Sequence, residues 1–121
     1  MKIEQIDELK KDVEDAVKKL LGDKLRKIVL YGSYARGDYD EESDIDFAAI
    51  ADISLEEINE FDEPLGDISC DLSLKYDVVV SIMFLSEENF NGYRDILPYY
   101  TNIVKEGIPF YGIQREGDFE A

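Results

Sequence analysis

Histidine is absent from this sequence, and cysteine occurs once, at position 70. Without histidine, a Ser-His-Asp or Cys-His nucleophile system in its usual form is excluded. A lone cysteine can close no internal disulfide, which suits a reducing compartment, and Cys70 reads as a small helix residue. Positive charge is scarce: 13 Lys and Arg stand against 29 Asp and Glu, a formal net charge of -16. A grip on nucleic-acid phosphate needs a Lys/Arg surface, so direct nucleic-acid binding is not expected, and anionic membrane is repelled for the same reason. A basic protein partner or divalent cations would supply the missing charge. Long apolar runs are lacking as well. The N-terminal MKIEQIDELKKDVEDAVKKLLGDK alternates charges, so neither signal peptide nor membrane span is expected, and the cytoplasm is the expected location. With 121 residues and no repeat, low-complexity tract or linker, residues 1–121 are expected to form one domain.

What is present reads as a mixed α/β chain. Ile3, Ile6, Leu9, Val13, Ala16, Val17, Leu20 and Leu21 recur at three and four residues, predicting an amphipathic helix that closes near Gly22. KIVLY (27–31), DIDFAAIA (44–51) and DVVVSIMFL (77–85) read as strands. Ser54 is a candidate N-cap for a helix through Tyr76, with a break expected at Pro64 and Gly66. Ser86 suggests another helix start, Pro98 an interruption, and TNIVKEG a helix ending at Gly107 before a short IPFY strand. The fold class is therefore α/β (α+β), a small mixed sheet flanked by helices in the order α-β-turn-β-α-β-α. The helical crossover between the later strands predicts that they are parallel.

The informative stretch is YGSYARGDYDEESDIDF, 31–47. On a strand, Asp44 and Asp46 share a face, with Cα atoms roughly 6 to 7 Å apart. Asp77 opens the following strand in this reading, so three carboxylates are expected to converge at one end of the sheet. Such a cluster can hold two Mg²⁺ ions, with Mn²⁺ the other candidate for hard oxygen ligands. An antiparallel return of the first strand would bring Gly32 and Ser33 to the same edge, where glycine lets phosphate approach the backbone and Ser33 offers an N–H and a hydroxyl. Arg36 is expected to add a positive group near a triphosphate. An EF-hand is excluded, because Ser43 and Ala49 occupy the places of its Gly and Glu, and a P-loop is excluded for want of Gly-Lys-Ser/Thr.

Gly32-Ser33, ten residues, then Asp44-Ile45-Asp46 resembles the nucleotidyltransferase signature of the DNA polymerase beta superfamily. The wording GSYARGDYDEESDIDF is similar to that of the minimal nucleotidyltransferase (MNT) family, and the likeness runs over roughly residues 25 to 112, including NIVKEGIPFYG. The resemblance implies that Asp44 and Asp46 bind both metals and that Asp77 completes one metal site and helps activate the attacking hydroxyl. It implies that Gly32 and Ser33 hold the β and γ phosphates of ATP. The implied reaction is in-line attack on the α-phosphate with loss of pyrophosphate. The implied acceptor is a tyrosine of a HEPN-domain toxin, which the MNT protein silences as its antitoxin by attaching AMP and often by forming a hetero-oligomer with it. Two other readings stay open: transfer to a small hydroxylated molecule such as an aminoglycoside, and a non-catalytic binding module that neutralises a basic partner.

Overall fold

Residues 3–112 are described by a computed structural model of the chain. A 3-10 turn at Ile3–Gln5 runs into α1, Ile6–Leu21, whose Leu9, Val13, Val17 and Leu21 form one buried stripe. The four-residue spacing keeps them on one face, and Lys18 and Lys19 sit in the last turn, where the helix dipole favours cations. Strand β1, Leu25–Tyr31, begins two residues before the KIVLY run and pairs antiparallel with β2, Ile45–Ala51. Strand β3, Val80–Ser86, lies parallel to β2, and β4, Ile108–Tyr111, antiparallel to β1, so the sheet order is β3-β2-β1-β4. The mixed α/β sheet, the antiparallel return and the parallel crossover pair all agree with the sequence reading.

Alternation along the strands divides the core between two faces. Ile28, Leu30, Phe47, Ala49 and Ile82 pack with α1 and with α4, Asp62–Tyr76. Val29, Ala48, Ile50 and Leu85 pack with Phe90 of α5, Glu87–Tyr93, and Ile103 of α6, Pro98–Glu106. No helix among the described residues is long and apolar enough to cross a membrane.

The helix after Ser54 differs in detail from expectation. Ser54 does cap α3, Leu55–Glu60, through a capping box in which its side chain accepts from the Glu57 N–H at 3.1 Å and its own N–H donates to the Glu57 carboxylate at 3.3 Å. The break falls at Phe61 and not at Pro64. Pro64 is the third residue of α4, in the first turn, where a missing N–H loses no intrahelical bond, and Gly66 continues the helix. Pro98 likewise starts α6 rather than interrupting a helix. Ser86 caps α5, accepting from the Asn89 N–H at 3.3 Å.

A part-buried polar contact ties α4 to α1. Asp12 accepts from the Tyr76 hydroxyl at 2.6 Å and from Lys75 Nζ at 2.7 Å, and Tyr76 is 2% exposed. These two donors hold the Asp12 carboxyl below its ordinary pKa. The stabilisation is therefore complete above the ordinary value and is lost as pH falls through the lowered folded value. Tyr76→Phe is expected to cost about 1 kcal/mol at pH 7 in denaturant unfolding. The gap from wild type should narrow below pH 4 or so, and a gap independent of pH would assign the cost to packing instead.

Candidate active site

The turn that leaves β1 is built around Gly32, whose φ of 76° and ψ of −157° suit glycine alone. The Gly32 carbonyl accepts from the Ala35 and Arg36 N–H groups, both at 3.1 Å, and so starts the short helix α2, Ser33–Arg36. A Cβ placed on Gly32 would stand 2.5 Å from Asp46 Oδ2. The bare backbone of Gly32 thus lies directly against the Asp46 carboxylate. The chain then crosses to β2 by an ordered loop. Tyr39 stacks on Tyr34 with ring centroids 4.2 Å apart and planes 7° from parallel, and the Asp40 side chain accepts from the Glu42 N–H at 2.8 Å and the Ser43 hydroxyl at 3.2 Å.

Asp46 lies half-buried within β2, on the face that carries Ala48 and Ile50, and Asp44 is exposed one residue ahead of the strand. Burial pushes the Asp46 pKa above its ordinary value, the Asp44 charge pushes it further, and the Arg36 guanidinium opposes both. Tyr31, the last residue of β1, is the cross-strand partner of Asp46. Its phenol shares a 3.1 Å hydrogen bond with Tyr99 at the start of α6, and the Tyr99 hydroxyl donates to Met83 Sδ at 3.3 Å. Burial, the bond to Tyr99 and the charge of Asp46 together push the Tyr31 pKa far up, so it stays neutral and donates its O–H to Tyr99.

Four of the sequence-derived candidates therefore meet: Gly32 against Asp46, Asp44 beside it, and Ser33 at the head of α2. Arg36 is near enough to influence Asp46, yet it also pairs with Asp38 at 3.2 Å and with Glu106 of α6 at 3.1 Å. Asp77 is placed differently from the reading that it opens a strand. It takes the left-handed conformation, φ 54° and ψ 47°, that ends α4, and β3 begins only at Val80. Aspartate tolerates that conformation better than most residues, so the helix can stop there without glycine. The residue in register with Asp46 on β3 is Ser81, which is exposed. Among the described residues no group of three or more His, Cys, Asp or Glu side chains is arranged to hold a metal ion. Asp44 and Asp46 are the two of the expected carboxylates that lie together, on β2 and its approach.

A pair still fits a divalent ion of the Mg²⁺ type, which is commonly held by one or two carboxylates together with substrate phosphates. The donor set is hard oxygen, which suits such an ion. Tyr31, Ser81 and Tyr99 were not singled out from sequence as parts of this site. Tyr31 could have been found by strand alternation, since it shares parity with Val29, whereas Ser81 and Tyr99 join only through pairing across the sheet.

Residues 6–111 match the nucleotidyltransferase domain family. The chain belongs to that family. It is a nucleotidyltransferase, as the Gly32-Ser33 and Asp44-x-Asp46 spacing leads one to expect. Two Methanocaldococcus jannaschii proteins, each named a putative protein adenylyltransferase, are similar to it. One is 39% identical over 84% of this chain and 93% of its own length, the other 44% identical over 65% and 74%. Among solved structures, a toxin-antitoxin with AMP-PNP aligns at TM-score 0.61 and 20% identity, covering 89% of this nucleotidyltransferase and 77% of that chain. The complex of a tri-AMPylated Shewanella oneidensis HEPN toxin with MNT antitoxin aligns at TM-score 0.56 and 18% identity, over 88% and 72%. At that identity these likenesses show the fold, the MNT-type nucleotidyltransferase fold that the sequence resembles.

Proposed function

We propose that this nucleotidyltransferase transfers AMP from ATP to a hydroxyl of a partner protein, with release of pyrophosphate. The observation that carries this reading is the Asp44 and Asp46 pair set against the glycine turn at Gly32. The protein adenylyltransferase relatives supply the nucleotide and the acceptor class. Asp44 and Asp46 would hold Mg²⁺ or Mn²⁺, which when bound polarises the α-phosphate and neutralises charge on the leaving pyrophosphate. Gly32, at the turn, and Ser33 would hold the β and γ phosphates, for which the Ser33 N–H and hydroxyl, ahead of any intrahelical acceptor, are donors. Arg36 would add charge to the same phosphates by exchanging one of its carboxylate partners for them. Tyr31 stays protonated beside Asp46, with its O–H donated to Tyr99. The solved neighbours are toxin-antitoxin assemblies, and they support the finer reading: the acceptor is a tyrosine of a HEPN-type toxin, and this chain is its cytoplasmic antitoxin. A net charge of -16 suits a basic, RNA-cleaving partner.

The test is labelling of proteins in a lysate of the source cell with ATP carrying label in the α or the γ position, with Mg²⁺ present. One protein band labelled from the α position and not from the γ position is expected. Label from the γ position would mean phosphorylation, and label confined to small molecules would move the activity to a small hydroxylated acceptor.

A further inference from the structure

Four large apolar side chains stand out from residues 93–99, which span the end of α5, the connecting turn and the start of α6: Tyr93 is 47% exposed, Ile96 71%, Leu97 42% and Tyr99 48%. The other exposed large apolar residues, such as Leu55 on α3 and Leu74 on α4, fall on separate elements. The turn that presents this group is held from within. The Tyr93 carbonyl accepts from the Ile96 and Leu97 N–H groups at 3.0 and 2.9 Å, and the Thr101 hydroxyl donates to the Arg94 and Leu97 carbonyls at 2.8 and 3.0 Å. Apolar groups presented on a pre-ordered turn lose little entropy on being covered, which is what a docking surface requires.

The turn is also joined to the active site. Tyr99 is hydrogen-bonded to Tyr31, and Tyr31 is the cross-strand partner of Asp46. A protein acceptor must bring its hydroxyl to the carboxylate pair. A standard interface buries about 800 Å² per partner, a disc roughly 16 Å in radius, so its footprint reaches the adjoining turn. We propose that the Tyr93, Ile96, Leu97 and Tyr99 surface is where the acceptor protein docks, and that the acceptor meets it with an apolar patch rimmed by Lys and Arg. This rests on the AMP-transfer reading and adds to it the place and chemistry of the contact. The basic rim follows from charge: Asp95 is exposed within the apolar turn itself, on a chain of net charge -16.

The protein that wild type labels in the lysate is purified and titrated as acceptor in the α-label assay. Ile96→Lys and Ile96→Glu are compared with Leu74→Glu, a change at a residue 79% exposed on α4, which covers the opposite face of the sheet. Because Ile96 is largely exposed, both variants should melt as wild type does. Ile96→Lys is expected to raise the KM for the acceptor by about tenfold or more. The KM for ATP and kcat at saturating acceptor should stay within about twofold of wild type, a split expected when only ground-state docking is weakened. Ile96→Glu should raise the acceptor KM less than Ile96→Lys, and Leu74→Glu not at all. An unchanged acceptor KM in both Ile96 variants overturns the proposal, and so does an equal rise in Leu74→Glu. A larger effect of Glu than of Lys overturns the basic rim. A wild-type dimer that Ile96→Lys converts to monomer would make the patch a self-association surface and overturn the acceptor assignment. If wild type labels no protein, the AMP-transfer reading falls first and this docking site with it.

Discussion

Replacing Asp44 and Asp46 together by asparagine is expected to lower AMP transfer by at least about a thousandfold, roughly 4 kcal/mol of transition-state stabilisation. The same change should raise the melting temperature of the metal-free protein. Both effects come from one cause, two carboxylates held close and offset in part by Arg36. Asp46 is half-buried, and its folded pKa stands above the ordinary 3.8 because of burial and the Asp44 charge. Below the ordinary value the residue is protonated in both states and there is no penalty. As pH rises through the folded value the carboxylate ionises in the fold at a cost, and that cost persists at pH 7. Asparagine removes it, so the variant should melt higher at pH 7, and the difference should close as pH is lowered past 3.8. Added Mg²⁺ should raise the melting temperature of the wild type and leave the variant unmoved, because a ligand stabilises only the state that binds it. Transfer at wild-type rate in the variant would sink the carboxylate assignment. An equal Mg²⁺ shift in both proteins would place the cation elsewhere on this acidic surface.

The parts of the site legible in sequence are those fixed by local geometry. Gly32 and Ser33 follow one strand, Asp44 and Asp46 flank the start of the next, and strand alternation with a short return is enough to bring them together. What sequence did not show depends on contacts far apart in the chain. Proline in a helix interior and proline in a first turn look alike in sequence. Pro64 falls in the second class because α3 stops at Phe61, whose ring packs edge-on against Phe84 at 5.4 Å. DVVV offers no mark of where β3 begins, and the left-handed end of α4 takes Asp77 out of the strand. Once β3 starts at Val80, the pairing of Ile45 with Val80 puts Ser81, and not an aspartate, opposite Asp46. Tyr99 reaches Tyr31 across 68 residues, beyond any periodicity argument.

Gly32→Ala should show how closely the turn and the carboxylate depend on each other. At φ 76° and ψ −157° the backbone is in a region that a side chain disfavours, costing of order 1–3 kcal/mol. The new Cβ would also meet Asp46 Oδ2 at 2.5 Å, well inside a carbon-to-oxygen contact. Something must yield, and the Asp46 carboxylate, at the free end of a short side chain, yields more readily than two strands of a sheet. Moving that group by about 1 Å should cost about a hundredfold in transfer rate, since the reacting geometry tolerates little displacement. Gly37→Ala separates this from backbone strain alone. Gly37 also has a positive φ, 85°, but a Cβ there meets nothing within 4 Å. It should lose about 1–2 kcal/mol of stability and keep its rate at temperatures where it is folded. If Gly32→Ala, assayed well below its melting temperature, loses no more activity than Gly37→Ala, then contact between the Gly32 backbone and Asp46 is not what positions the carboxylate. An ATP KM that rises with kcat unchanged would instead assign Gly32 to phosphate binding alone. A fall in kcat with an unchanged KM is the result expected of a displaced carboxylate.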